Sequence, residues 1–260
     1  REIISRVPDD PQFPPILFVH GMGHAAWCWD EHWMGELSDR GWPCYAVSLR
    51  GHGASGGDDT RGRSTIRHYA HDVMQTIVEL AGRPVLVGHS MGALAVMRVL
   101  ERYPARAGVL LAPVAADHGL RMSTRLAREM TGNFVRAAIG RPFRFRREML
   151  FSDKLDDETA QRHLDRFDTA VPLNQFEMML PRSVEASKAP MLVIGSRDDA
   201  LIPVDDVERT AEIFDADLTM LDGIGHSLML DADWHKPLDF MEAWLREHVS
   251  MTEFPTRDDR

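Results

Sequence analysis

The chain has 260 residues, 44% of them hydrophobic and 27% charged, a balance that excludes a disordered protein. Its 30 basic against 40 acidic side chains give a formal charge of −10, and such a surface repels phosphate backbones, which argues against a nucleic-acid partner. No apolar run approaches the roughly 18 residues of a membrane span, so stable membrane insertion is not expected. Residues Arg1 to Arg6 lack the apolar stretch of a signal peptide. Cys28 and Cys44 are too few for a disulfide framework. The expected setting is reducing and cytoplasmic.

In chain order, Ile16-Leu17-Phe18-Val19 is the first strong strand, followed by the glycine-rich His20-Gly21-Met22-Gly23. A helix over about Trp27 to Arg40 leads to the strand Tyr45-Ala46-Val47. From Thr65 to Ala81, residues Ile66, Ala70, Val73, Ile77 and Leu80 fall at helical spacing, with Ser64 as N-cap and Gly82 as C-cap before Pro84. The strand Val85-Leu86-Val87, a helix from Met91 to Tyr103 and the strand Val109-Leu110-Leu111 follow. Between about Val114 and Lys188 the alternation breaks into several short Arg- and Met-rich helices, whose basic and acidic residues nearly balance. The strand Met191 to Ile194, a helix from Asp205 to Phe214, a weaker strand Leu218 to Leu221 and a helix from Trp234 to Val249 complete the pattern. Strands without polar alternation are buried on both faces, so the expected fold is α/β, a doubly wound, mostly parallel sheet. Residues 1–113 and 189–250 form its core, 114–188 a helical cap, and 251–260 a polar, frayed tail.

Gly88-His89-Ser90-Met91-Gly92 joins a strand to a helix, the context that gives Gly-x-Ser-x-Gly its meaning. A serine there projects Oγ above the sheet, while neighbouring helices leave no room for side chains at 88 and 92. The helix start adds N–H groups and a positive dipole end. His20-Gly21-Met22-Gly23 opens at the same rim, so the N–H groups of Met22 and Met91 can converge on one oxyanion. His20 is expected to organise this loop rather than carry protons. The base comes late in the chain. Gly223-Ile224-Gly225-His226 follows the last strand, and His226 is favoured over the other histidines. The acid that orients it lies in Asp198-Asp199, where Asp199 stands four residues before Pro203 and Asp198 three after Gly195. Asp199 is preferred, with Asp198 the alternative.

This order of strand ends, cap, acid and histidine resembles the α/β-hydrolase superfamily over nearly the whole chain. The elbow is similar to that of monoacylglycerol-lipase and lysophospholipase-like members. His20 to Trp29 is similar to the oxyanion segment of plant methylesterases and hydroxynitrile lyases. Those lyases place lysine directly after the histidine, where this chain has Ser227, a departure that favours an esterase. Ser90 also speaks against epoxide hydrolases and haloalkane dehalogenases, whose nucleophile is aspartate. Only a short segment precedes the first strong strand, leaving room for one extra edge strand rather than two.

The resemblance implies a serine hydrolase that transfers the acyl group of a small-molecule ester to Ser90 and then to water, with no metal or cofactor. Gly21, His24, Trp27, Met122 and Met178 are the candidate substrate contacts. The Met and Phe residues of the cap can line an apolar acyl pocket or pack the cap onto the sheet. Arg141 to Arg147 can touch anionic lipid transiently, or form a solvated edge balanced by the acids from Asp153 to Glu158. The same triad also serves C–C hydrolysis, perhydrolase/haloperoxidase-like chemistry and acyl transfer, and the scaffold can serve as a non-catalytic ligand receptor.

Overall fold

A computed structural model describes residues 1–57, 63–168, 172–185 and 187–249. The expected tail at 251–260 lies outside them. Their elements run β1 Glu2–Arg6, β2 Ile16–Val19, α1 Trp27–Asp30, α2 Trp33–Asp39, β3 Cys44–Ser48, α3 Ile66–Glu79, β4 Val85–His89, α4 Met91–Leu100 and β5 Gly108–Leu111. Five helices follow: α5 Leu120–Glu129, α6 Thr131–Ala138, α7 Arg147–Leu150, α8 Asp157–Leu164 and α9 Pro172–Met179. The chain then re-enters the sheet as β6 Met191–Ser196, α10 Val204–Phe214, β7 Asp217–Leu221 and α11 His235–His248.

The described residues form a seven-stranded sheet in the order β1-β3-β2-β4-β5-β6-β7. β1 pairs antiparallel to β3, and the remaining neighbours are parallel. The single extra edge strand is therefore β1. Every residue of β2, β4, β5 and β6 is buried, as continuous apolar runs require. β7 lies at the sheet edge and is exposed over its first residues, which is why its sequence signal is weaker.

Three local expectations need correction. The stretch from Trp27 to Arg40 is two helices rather than one. It breaks between Asp30 and Trp33, yet Trp29 and Trp33 both still pack on Phe18, with ring centroids at 4.8 and 6.3 Å. α3 is capped by Thr65, not Ser64. His68 N donates to Thr65 Oγ1, and Thr65 N donates to His68 Nδ1 at 3.1 Å, a reciprocal capping box built with histidine. Leu80, in extended backbone, ends that helix, and Gly82 serves the following turn with φ 93°.

Position in the sheet sets up the site. After β2 the chain moves outward to β3 and then crosses to β4 on the other side, so β2 and β4 flank the topological switch point. Val19 is in register with Gly88. Two residues beyond each strand position lie Gly21 and Ser90, side by side at the carboxyl rim where such sheets bind ligands.

Candidate active site

Ser90 stands between β4 and α4 with φ 53° and ψ −116°, a sparsely populated conformation that costs about 1–3 kcal/mol and needs surrounding structure to hold it. Its N–H donates to Leu111 O at 2.9 Å, and its carbonyl accepts from Ala93 N at 3.1 Å. The glycines either side make the turn sterically feasible. A Cβ on Gly88 would sit 2.8 Å from Ala93 Cα, and one on Gly92 would run into the carbonyl oxygens of Val19 and His20. The crowding at 92 thus comes from the end of β2 rather than from a helix, correcting the sequence expectation.

Asp199 and His226 arrive on the loops after β6 and β7, whose ends are in register at Ser196 and Leu221. His226 Nδ1 lies 2.7 Å from Asp199 Oδ2, and both side chains are buried. The other carboxylate oxygen, Oδ1, accepts from the N–H groups of Leu201 and Ile202 at 2.7 and 2.9 Å. Asp198 faces away, exposed, and its Oδ2 accepts from Gly223 N at 2.6 Å. The structure therefore brings Asp199, and not Asp198, to the imidazole. His226 and Ser90 line one cavity with Met22. Among the described residues no hydrogen bond joins the Ser90 hydroxyl to the ring, a pairing that commonly tightens only when substrate binds.

Further buried imidazoles brace this rim. His20 Nδ1 donates to Gly21 O at 2.8 Å, and its Nε2 accepts from Leu49 N at 3.0 Å, so it ties the glycine-rich loop to the end of β3. His89 Nε2 donates to His226 O at 3.0 Å, and His24 Nε2 lies 3.3 Å from Ser227 Oγ. Burial, reinforced by neighbouring histidines, holds the pKa of His20, His24 and His89 well below the usual value, so they are neutral. The loop of His226 is also held by Asp231. Its carboxylate accepts from Gly225 N at 2.6 Å and from the N–H and hydroxyl of Ser152, both at 2.7 Å. Asp231 carries no sequence signal, because an acid five residues past a histidine makes no motif, and His89, inside the elbow, has no signal separate from it.

The cavity and its open mouth together leave about 570 Å³ unfilled by protein atoms, of which about 50 Å³ admits the centre of a water-sized sphere. Its walls are apolar, with Met122, Leu126, Phe143, Phe145, Leu150 and Met178 from the segment between β5 and β6. Met122 and Met178 thus stand where substrate contacts were expected. Gly21, His24 and Trp27 lie outside the walls. Gly21 backs onto His89, where a Cβ would come within 2.7 Å of Nδ1. His24 is turned inward against Phe167 and Ser227. Trp27 carries the Arg166 guanidinium 3.9 Å above its ring. Among the other aromatics between β5 and β6, Phe151 packs on His163, while Phe176 is exposed.

In the basic run, Arg147 is paired with Asp157 at 2.8 Å and Asp153 at 3.5 Å, the balanced edge expected as one alternative. Cys28 and Cys44 are buried and unpaired, and burial pushes both thiols up, so neither is a nucleophile at neutral pH. Among the described residues, Glu31, His32 and His163 form the group with ligand atoms close enough for a metal, all within 4.8 Å. Glu31 already faces Arg166 at 2.8 Å and Arg162 at 3.9 Å, cations that oppose a metal ion there. No helix among the described residues is long and apolar enough to cross a membrane.

The fold, the strained serine after β4 and the histidine–aspartate pair at one rim define an α/β hydrolase, and the model of the alpha/beta hydrolase family matches residues 16–236. The chain belongs to that family. Among curated proteins it is similar to Methylesterase 3 of Arabidopsis thaliana, 35% identical over 99 residues, 36% of each chain. The curated relatives it matches first are aligned over about two fifths of their own length. Among solved structures, a monoacylglycerol lipase of Paleococcus ferrophilus superposes with a TM-score of 0.70 at 21% identity, covering 96% of this chain and 100% of that one. A soluble variant of monoglyceride lipase from Saccharomyces cerevisiae gives 0.78 at 13% identity, over 96% and 92%.

Proposed function

We propose that this protein is a serine carboxylic ester hydrolase acting on small-molecule esters with apolar acyl chains. The observation that carries the reading is Ser90, held at positive φ, sharing a cavity with His226, whose far nitrogen is bonded to buried Asp199. The activity named for the plant methylesterase supports the same class.

In the proposed reaction His226 Nε2 takes the Ser90 proton as Oγ attacks the ester carbonyl. The N–H groups of Met22 and Met91 hold the oxyanion, and the alcohol leaves with the proton from His226. Water, deprotonated by the same imidazole, then releases the acid from Ser90. Asp199 fixes the His226 tautomer, with its proton on Nδ1, and stabilises the imidazolium. No step calls for a metal or organic cofactor. Residues 114–188 act as a cap over a core of 1–113 and 189–250, and the walls contributed by Met122, Phe143 and Met178 receive the acyl chain.

The test is covalent labelling by a fluorophosphonate together with turnover of p-nitrophenyl esters. Folded wild-type protein should label, and Ser90→Ala should abolish labelling and reduce kcat by about 10⁶, as loss of a triad serine does. Absence of labelling in folded protein would overturn the reading in favour of a ligand receptor on this scaffold.

A further inference from the structure

Within the apolar cavity one polar side chain has no part in the proposed chemistry. Gln175, on α9, is 2% exposed and lines the cavity with Ser90 and His226. Its Nε2 donates to Arg141 O at 3.4 Å, whereas its Oε1 is buried with no hydrogen-bond partner. The bond to Arg141 sets the orientation of the amide. A half-turn would bring Oε1 against the Arg141 carbonyl, two acceptors face to face.

The side chain is also not free to find a partner by moving its helix. Next to it, Asn174 Nδ2 donates to Tyr69 OH at 2.6 Å, and Glu177 Oε2 accepts from Ile66 N at 2.7 Å. The Arg182 guanidinium bonds the carbonyls of Glu177 and Met178 at 3.0 and 2.6 Å. α9 is therefore fastened to α3 and to its own C-terminal turn, and Gln175 is held in the cavity wall with its Oε1 buried. Buried acceptors in folded proteins are nearly always satisfied. An apolar acyl chain would leave this one unsatisfied in the complex as well.

We propose that Gln175 Oε1 is a specificity element that accepts a hydrogen bond from the substrate. The preferred ester then carries an N–H or O–H donor on its otherwise apolar acyl arm. This rests on the ester-hydrolase reading above and adds the chemical class of the acyl group.

The test compares p-nitrophenyl esters of plain straight-chain acids with esters of equal length whose chains end in a hydroxyl or a carboxamide, over graded lengths. Wild-type protein should prefer the donor-bearing ester by about tenfold or more in kcat/KM at one length, because a site built to pair a polar group discriminates against the analogue lacking it. Gln175→Met keeps the length and removes the acceptor. It should abolish the preference, bringing the ratio of kcat/KM for donor-bearing over plain esters of equal length to about one. Plain-ester turnover also reports that the variant is folded. Turnover of plain esters with no donor preference at any length, or a preference that survives in Gln175→Met, would overturn the inference. Failure of wild-type protein both to label with fluorophosphonate and to cleave any ester would instead overturn the ester-hydrolase reading, and this inference with it.

Discussion

Asp198 and Asp199 are adjacent carboxylates whose surroundings assign them different work. Asp199 Oδ1 is engaged by two backbone N–H groups, which leaves Oδ2 for His226 Nδ1. Asp198 accepts the Gly223 N–H in the turn before the histidine loop. Asp199→Asn should therefore lower kcat for ester cleavage by about 10⁴, as the corresponding change does in a serine protease by selecting the wrong imidazole tautomer. Asp198→Asn should keep kcat within about tenfold, since an amide oxygen still accepts from Gly223. Steady-state kinetics on both variants checks this, and equal losses would refute the division of roles. Sequence narrows the acid to this pair and favours Asp199, with Asp198 left as the alternative. Distances counted from Gly195 and from Pro203 disagree by one residue, and only the loop's backbone path settles which side chain turns inward. Ser90 and His226 were legible because glycines and strand ends fix their positions. The contacts of Gly21, His24 and Trp27 were not, because proximity in sequence to the rim says nothing about which way the chain turns after Met22.

At the level of elements, strands were legible because burial on both faces writes itself as an uninterrupted apolar run. The break between α1 and α2 was not, since Trp29 and Trp33 keep helical spacing across it. Equally invisible was the contact between α7, the turn after it and the histidine loop. Ser227 N donates to Leu150 O at 2.8 Å, and a Cβ on Gly225 would lie 2.7 Å from that oxygen and from Phe151 Cα. Asp231 fastens the same junction, satisfying Gly225 N, Ala232 N and both donors of Ser152. Asp231→Ala strands these donors and should cost about 3 kcal/mol or more, at about 1–3 kcal/mol for each one left buried and unpaired. Because the junction carries His226, kcat should fall as well, although Asp231 touches neither Ser90 nor the ring. Urea unfolding paired with ester kinetics tests both halves. A variant with wild-type stability would show that the junction is held by packing alone.

Across the whole molecule, the neutral histidines under the rim link stability to pH. In the unfolded chain each takes up a proton near about pH 6.5, whereas in the folded protein burial keeps His20, His24 and His89 neutral to well below that value. Below about pH 6.5 the unfolded state thus binds more protons than the native one, and stability falls as pH drops. Above it these three groups contribute no pH dependence. Each adds a slope approaching about 1.4 kcal/mol per pH unit on the acid side. Urea midpoints measured from neutrality downward should decline below pH 6.5 more steeply than one group allows, and a flat profile to about pH 5 would mean these rings are protonated in the fold.

The other molecular-scale consequence comes from the apolar walls of the cavity at Ser90. Because the cavity at Ser90 is walled by Met122, Phe143, Met178 and their neighbours, each methylene added to an acyl chain leaves water for an apolar surface, worth about 0.8 kcal/mol. That is about fourfold in kcat/KM per carbon until the chain meets the far wall, provided the gain is retained in the transition state. Beyond that length the added carbon must displace packed side chains, and overpacking costs about 1–3 kcal/mol. The profile against chain length should therefore rise and then turn over sharply. Met178→Trp, which fills part of the cavity from α9, should move the turning point to shorter chains while leaving the shortest ester nearly unaffected. A profile without a maximum, or one that Met178→Trp leaves in place, would mean that the acyl chain lies outside this cavity and that the helices between β5 and β6 do not measure it.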